Sequence, residues 1–272
     1  MGVFQNNLLA GAAAAASAGG AGFYGYQIEQ SVRLDRASGS YFSRTPGNGT
    51  SRRIFTLSTW IKKTQNLADS GDFGIIFNAQ ESSTTNYVDG PRFQGDDVLN
   101  MQFKGTLSGN LVTNAKFRDL SAWMHMVIGV DTTQSTSSDR VKIYINGTQL
   151  TSFSSSTYPS QNYDSGYGNN REMAIGRFTG ASYTTSLDAY LAETIYVDGT
   201  AYAASQFGET KNGVWIPKDP SGTSFGTNGF HLKYENASDL GNDSSGNNND
   251  FTANNMGTDH QVLDSPTIGA GS

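Results

Sequence analysis

Residues 123–150 read WMHMVIGVDTTQSTSSDRVKIYINGTQL, and two strand-like runs lie within them. In the first, Met124, Met126, Ile128 and Val130 share one face, and Trp123, His125, Val127 and Asp131 share the other. In the second, Val141, Ile143 and Ile145 alternate with Lys142 and Tyr144. Alternation with a period of two marks strands that turn one face to a core. The second run stops at Asn146-Gly147, and Thr148-Gln149-Leu150 follows at once. Asn-Gly between alternating residues signals a type I′ hairpin, because both central residues need positive φ. The stretch predicts the centre of an antiparallel sheet.

Further strands are predicted on either side, at 31–35, 41–44, 55–62, 74–77, 98–103 and 230–234. In 55–62, Phe55, Leu57, Thr59 and Ile61 share a face. Two long polar stretches, 78–97 and 154–170, read as loops. Loops of that length are usually functional or unusually well packed. The 272 residues include 32 Gly, 13 Tyr and only 6 Pro, a β-rich composition. A chain of this size suits one large β domain, which buries roughly 70–75% of its unfolded surface and needs no staples. With no cysteine, disulfides and thiolate metal sites are excluded, which fits assembly in a cytosol. A net charge of −6 argues against nucleic acid as a partner. Arg44, Arg52, Arg53, Lys62 and Lys63 read as a solvated basic face.

The motifs carry a resemblance. Trp123-x-His125-x-Val127 running to Asp131-Thr132-Thr133, then Ile143-Tyr144-Ile145-Asn146-Gly147, resembles the middle of the laminin G-like, or concanavalin A-like lectin/glucanase, superfamily. Ser31-Val32-Arg33-Leu34-Asp35 through Tyr41-Phe42 is similar to its opening strand, and Ser58-Thr59-Trp60 to its Ser-x-Trp strand. Ala174-Ile175-Gly176-Arg177 and the run from Leu187 to Glu193 are similar to its closing pair. The resemblance spans 27–209 and implies an all-β fold, an antiparallel β-sandwich of jelly-roll type. It does not imply one activity, since the superfamily hosts lectins, glycosidases and structural modules. Gly2-Val3-Phe4-Gln5-Asn6-Asn7, Gln206-Phe207-Gly208-Glu209, Gly213-Val214-Trp215-Ile216-Pro217 and Asn228-Gly229-Phe230 together resemble virion structural proteins of tailed bacteriophages of aquatic bacteria. That implies a virion protein assembled in the host cytoplasm as a homo-oligomer, with other tail or capsid proteins as partners. A tail fibre or adhesin, a capsid decoration protein and a free lectin stay open.

Residues 8–22 read LLAGAAAAASAGGAG, and no Lys or Arg precedes Arg33, as a signal peptide would require. The run is too short and too Gly-rich for a membrane span, so no membrane insertion is expected. It reads as a loose tail or as an extended N-terminal arm docking on a neighbouring subunit, with Phe4, Leu8 and Leu9 to bury. The expected organisation is an anchoring arm at 1–22, the sandwich at 23–210 and a C-terminal extension at 211–272 packed on it.

Tyr158, Tyr163 and Tyr167 in the second polar stretch, and Tyr183 beyond it, are the candidate contact residues. Tyrosine among Asn, Asp and Gly offers rings for stacking on sugars and amides for their hydroxyls. The same residues suit a protein partner, so host-surface glycan and subunit contact both stay open. Catalysis finds little support. The superfamily's glucanases carry Glu-x-Asp-x-x-Glu on one strand, and no Glu here is followed two residues later by Asp. Asp188 and Glu193, five apart, fall on opposite faces of a regular strand, unlike a retaining pair held roughly 5 Å apart. His125, His231 and His260 are widely separated, and His125 is expected in the sandwich with its ring nitrogen satisfied. No catalytic residue and no cofactor is expected. The resemblance makes Ca²⁺ the one candidate metal, and Asp239, Asn242, Asp243 and Asn247, or Asp69 and Asp72, offer the hard oxygens it takes. Neither group has EF-hand spacing, and Asp or Asn in Gly-rich turns commonly caps the backbone instead.

Overall fold

A computed structural model of the chain describes residues 22–67, 73–80, 88–104, 107–178 and 186–268. The arm residues Phe4, Leu8 and Leu9, the candidate Tyr183, and Asp69 and Asp72 lie outside them. The strands run in chain order as β1 (Ser31–Leu34), β2 (Tyr41–Arg44), β3 (Ile54–Lys63), β4 (Phe73–Ile75), β5 (Phe77–Gln80) and β6 (Val88–Gln94). There follow β7 (Val98–Phe103), β8 (Gly109–Lys116), β9 (Met124–Asp131), β10 (Val141–Ile145), β11 (Thr148–Gln149), β12 (Phe153–Thr157) and β13 (Met173–Ile175). The last are β14 (Ala189–Asp198), β15 (Gly208–Lys211), β16 (Val214–Pro217), β17 (Phe230–Leu232), β18 (Thr252–Asn254) and β19 (Gln261–Val262).

Two large antiparallel sheets face each other. The first has the order β11-β10-β9-β3-β14-β1-β19, with β17 also on β14; the second has β12-β8-β7-β6-β5-β13-β2-β18, with β4 on β6. The inward positions of the alternating runs fill one core: Phe55, Leu57, Ile61, Met126, Ile128, Val130, Val141 and Ile143 from the first sheet meet Phe77, Phe93, Leu99, Met101, Phe103 and Leu111 from the second. The Asn-Gly hairpin forms as predicted, with Asn146 at φ 47° and Gly147 at φ 78° and Ile145 opposite Thr148.

The centre of the first sheet is covered on its outer face as well. Val127, Ile195 and Val197 pack there against Ala204, Phe207 and Phe225, and Trp60 and Ala192 pack against Ile28. Residues 22–28 and 201–225 supply this second layer, which is why β3 and β14 are buried almost throughout.

Both stretches read as loops contain strands. β6 lies in the first, and its Gly90-Pro91 disguises it. Pro91 has no N–H to give, and β6 tolerates this because it pairs with β5 through Val88 and Asp89 and with β4 from Arg92 onward. Pro91 sits at the junction, where its carbonyl accepts from Ile76 N–H (3.2 Å). β12 opens the second stretch as a polar edge strand on β8. Toward the C-terminus, β17 joins β14, β18 joins β2 and β19 joins β1, so this segment is part of both sheets.

Candidate functional site

The tyrosine-bearing loop is a plug, not an open rim. Tyr167 is fully buried, and its hydroxyl donates to the Phe77 carbonyl (3.1 Å). Its ring packs on Phe55 (4.6 Å) and Tyr196 (5.7 Å) in the core. Tyr163 is half-buried; its hydroxyl donates to Asp89 (3.1 Å) and its ring meets Phe103 edge-on. Tyr158 is half-buried against the same core, and burial pushes its hydroxyl pKa up. Arg52 Nε to the Ser165 carbonyl (2.8 Å), Arg53 to Asp164 (2.8 Å) and Gly166 N–H to Asp89 (2.7 Å) staple the loop down. These contacts also disperse the basic residues: Lys62 pairs with Asp264, Lys63 with buried Asp97, and Arg44 with Asn249.

His125 is buried, but on the outer face of the first sheet and not between the sheets. Its ring stacks on Trp60 (4.7 Å, 13°) and faces Trp215 (6.1 Å, 23°). Trp215 Nε1–H donates to His125 Nδ1 (3.1 Å), which places the imidazole proton on Nε2, facing Ser58 Oγ (2.8 Å). A serine base needs a lone pair at that nitrogen, so this pair has the opposite polarity from a nucleophile and its base. Burial also lowers the imidazole pKa to about 3. His231 Nε2 bonds Glu193, to which the Tyr26 hydroxyl also donates; burial first, and then Glu193, raise the Tyr26 pKa. Glu193 sits at φ 51° in a bulge of β14, whereas Asp188 precedes the strand and accepts from Arg36 N–H (3.2 Å). The two carboxylates serve different structural partners. The sequence was expected to hold no Gly-x-Ser-x-Gly, yet Gly222-Thr223-Ser224-Phe225-Gly226 fits that spacing of a nucleophile elbow. It lies in an irregular segment between β16 and β17 and not on a strand-to-helix turn, so the elbow is not formed.

Of the described calcium candidates, Asp243 is spoken for. Asp243 accepts from His231 N–H (2.8 Å), Ser245 N–H (2.8 Å), Ser245 Oγ (2.8 Å) and Asn249 N–H (2.9 Å). The Asn247 amide donates to the Gly226 and Gly229 carbonyls (2.8 and 2.9 Å). The Asp243 carboxylate thus caps a turn, and the Asn247 amide nitrogen ties that turn to the 226–229 backbone. Among the described residues no group of three or more His, Asp or Glu is placed to hold a metal ion.

A different feature has the shape of a binding site. A groove of about 360 Å³ opens on the outer face of the first sheet. Its floor is Gly129 of β9 with Lys142 and Tyr144 of β10, and its wall is Ala201-Tyr202-Ala203. The wall is held by Tyr202 N–H donating to Thr56 Oγ1 (2.7 Å), whose hydroxyl donates to the Thr200 carbonyl (2.8 Å). Asp131, Gln134 and Asp139 form the rim. Arg140 fixes that rim by donating to the carbonyls of Gln134 (2.9 Å), Ser135 (2.9 Å) and, on the tyrosine-bearing loop, Pro159 (2.8 Å). Partial burial pushes the Asp131 carboxyl up, but hydrogen bonds from Thr133 and Gln134 outweigh it and the net shift is downward. Lys142 lies 3.3 Å from Asp139. The volume is within the range of small-ligand sites, roughly 300–1,000 Å³. Chemically the groove offers two phenol rings, carboxylate and amide acceptors, and ammonium and amide donors. None of these residues was nominated from the sequence; the available signal was Tyr144, an aromatic on the strand face that alternation assigns to solvent.

The model of the concanavalin A-like lectin/glucanases superfamily matches residues 36–194, more than half of the chain. No curated protein matches. Among solved structures, a Bacteroides ovatus protein provisionally assigned as carbohydrate binding is 15% identical with a TM-score of 0.50. The match covers 84% of this chain and 59% of that one, so the chain spans little more than half of that protein's length. The heptameric SAP-like pentraxin of Limulus polyphemus is 14% identical over 66% of this chain and 81% of its own, with a TM-score of 0.43. Trypanosoma rangeli sialidase is 13% identical over 57% of this chain and 22% of its own, at 0.39. At such identities the likeness concerns the fold alone, and the last two are too slight to carry even that. The family match and the two facing antiparallel sheets agree, and the chain belongs to the concanavalin A-like lectin/glucanase superfamily.

Proposed function

We propose that this chain is a non-enzymatic carbohydrate-binding protein of a bacteriophage virion, displayed on the tail, whose outer groove takes host-surface glycans. The groove between Tyr144 and Tyr202 is the observation that carries the binding reading. Two half-buried tyrosines close to carboxylates, an amide and an ammonium suit the alternating apolar faces and hydroxyl rims of pyranose rings. The reversed polarity of the Ser58–His125 contact favours binding without turnover. Tyr158, half-buried on the loop that Arg140 ties to the groove rim, offers a secondary contact. The virion assignment rests on the sequence resemblance, and in it Phe4, Leu8 and Leu9 dock the chain on a neighbouring subunit.

The binding reading is tested on a glycan array. Ala203 is exposed at the groove wall, so Ala203→Trp should fill the groove and abolish binding while leaving the thermal unfolding midpoint unchanged. Binding that survives Ala203→Trp places the site elsewhere, and no binding by the unsubstituted chain overturns the reading. Immunogold microscopy tests the setting: label on tails supports it, label over the head makes this a decoration protein, and unlabelled particles leave a free lectin.

A further inference from the structure

We infer that the groove selects uncharged or amine-bearing sugars and rejects acidic ones, an inference that rests on reading the groove as a glycan site. Three charged side chains line it: Asp131, Asp139 and Lys142. Lys142 and Asp139 offset one another across 3.3 Å, which leaves Asp131 as the unbalanced charge. The groups that stabilise the Asp131 carboxylate are the Thr133 N–H and hydroxyl (3.0 and 2.6 Å) and the Gln134 amide (2.5 Å). All are neutral, so Asp131 stays ionised without a cation to cancel it. Of the flanking cations, Arg140 directs Nε and both terminal nitrogens onto backbone carbonyls, and Arg53 pairs with Asp164.

A sugar hydroxyl entering this groove donates to carboxylates that still have lone pairs to accept it. A protonated amino sugar gains a charge-assisted bond as well. A uronic or sialic acid instead brings a carboxylate toward Asp131 at the groove rim, where solvent reduces the repulsion without removing it. The chain's overall charge of −6 adds to this at long range. Selection therefore follows from one uncompensated side chain and should weaken as salt rises.

The experiment profiles the full-length chain on an array holding neutral, amine-bearing and acidic glycans of matched size, at low and high salt. Neutral and amine-bearing glycans should bind at least about tenfold more tightly than acidic analogues, the ratio expected from one like-charge contact of about 1.4 kcal/mol. Asp131→Asn keeps an oxygen for the Thr133 bonds, so it should fold normally while shrinking the preference severalfold. Asp139→Asn, which frees the charge of Lys142, should shrink it in the same direction. An unsubstituted chain that prefers acidic glycans overturns the inference while leaving the glycan-binding reading intact. Unchanged preference in both folded variants also overturns it. Absence of binding to every glycan overturns the binding reading and this inference together.

Discussion

Trp60 and Trp215 enclose the His125 ring, and that enclosure makes one residue a source of acid sensitivity. Folded, the imidazole stays neutral down to about pH 3; unfolded, it takes up a proton below its ordinary 6.5. The unfolded state therefore binds more protons throughout that window. Stability contributed by neutral burial is full above pH 6.5 and is lost as pH falls toward 3, by at most about 1.4 kcal/mol per pH unit. His125→Gln keeps an N–H for Ser58 but cannot titrate. Chemical denaturation at pH 7 and pH 4.5 should show the variant less stable at pH 7 yet losing clearly less on acidification. Equal losses in the two proteins would mean that His125 is accessible to protons in the folded state. All other ionisable groups are common to both proteins and cancel in the comparison.

At the scale of elements, the β15–β16 hairpin forms its own two-stranded sheet and reaches the sandwich through Trp215. The indole covers the Asn146-Gly147 turn so closely that a Cβ on Gly147 would lie 2.3 Å from its ring. On the same hairpin, Lys211 Nζ donates to the carbonyl of Phe23 (2.7 Å), clamping the segment that enters the described fold. Trp215→Ala should cost about 3 kcal/mol, toward the low end for a large aromatic because the ring is only partly buried. Amide hydrogen exchange should rise at 208–217 and 22–26 while β3 and β9 stay protected. The hairpin of β10 and β11 was legible because Asn-Gly and alternation act over a few residues. The opposite held for β6 and β12. Gly90-Pro91 reads locally as a turn, and a Ser-rich edge strand has no apolar alternation to display. Likewise, nothing local distinguishes Tyr167 pointing inward from a tyrosine pointing out. The groove was hidden for a related reason: its floor is in the legible hairpin, but its wall at 201–203 arrives from some sixty residues further along the chain.

Over the whole molecule, the question is whether residues beyond 210 ride on a finished sandwich or complete it. Three of their strands pair with three different partners in both sheets, β17 with β14, β18 with β2 and β19 with β1. Phe230, Leu232, Tyr234, Leu240 and Phe251 belong to the main core cluster, and Phe230 touches Phe77 (5.7 Å), Tyr196 (5.8 Å) and Phe251 (4.6 Å). Five such side chains at about 2 kcal/mol each contribute roughly 10 kcal/mol, comparable to the whole net stability of a typical domain, about 5–15 kcal/mol. Losing this segment would also take Trp215 and Phe225 from the outer layer and leave His231's partner Glu193 buried without it. A chain ending at residue 210 should therefore be insoluble or show no cooperative thermal transition. A chain lacking residues 2–21 keeps every strand and core residue named above and should unfold cooperatively within a few degrees of the chain that has them. Calorimetry on the two truncations decides the matter: a sharp, reversible transition from residues 1–210 would show that the sandwich closes without its C-terminal strands.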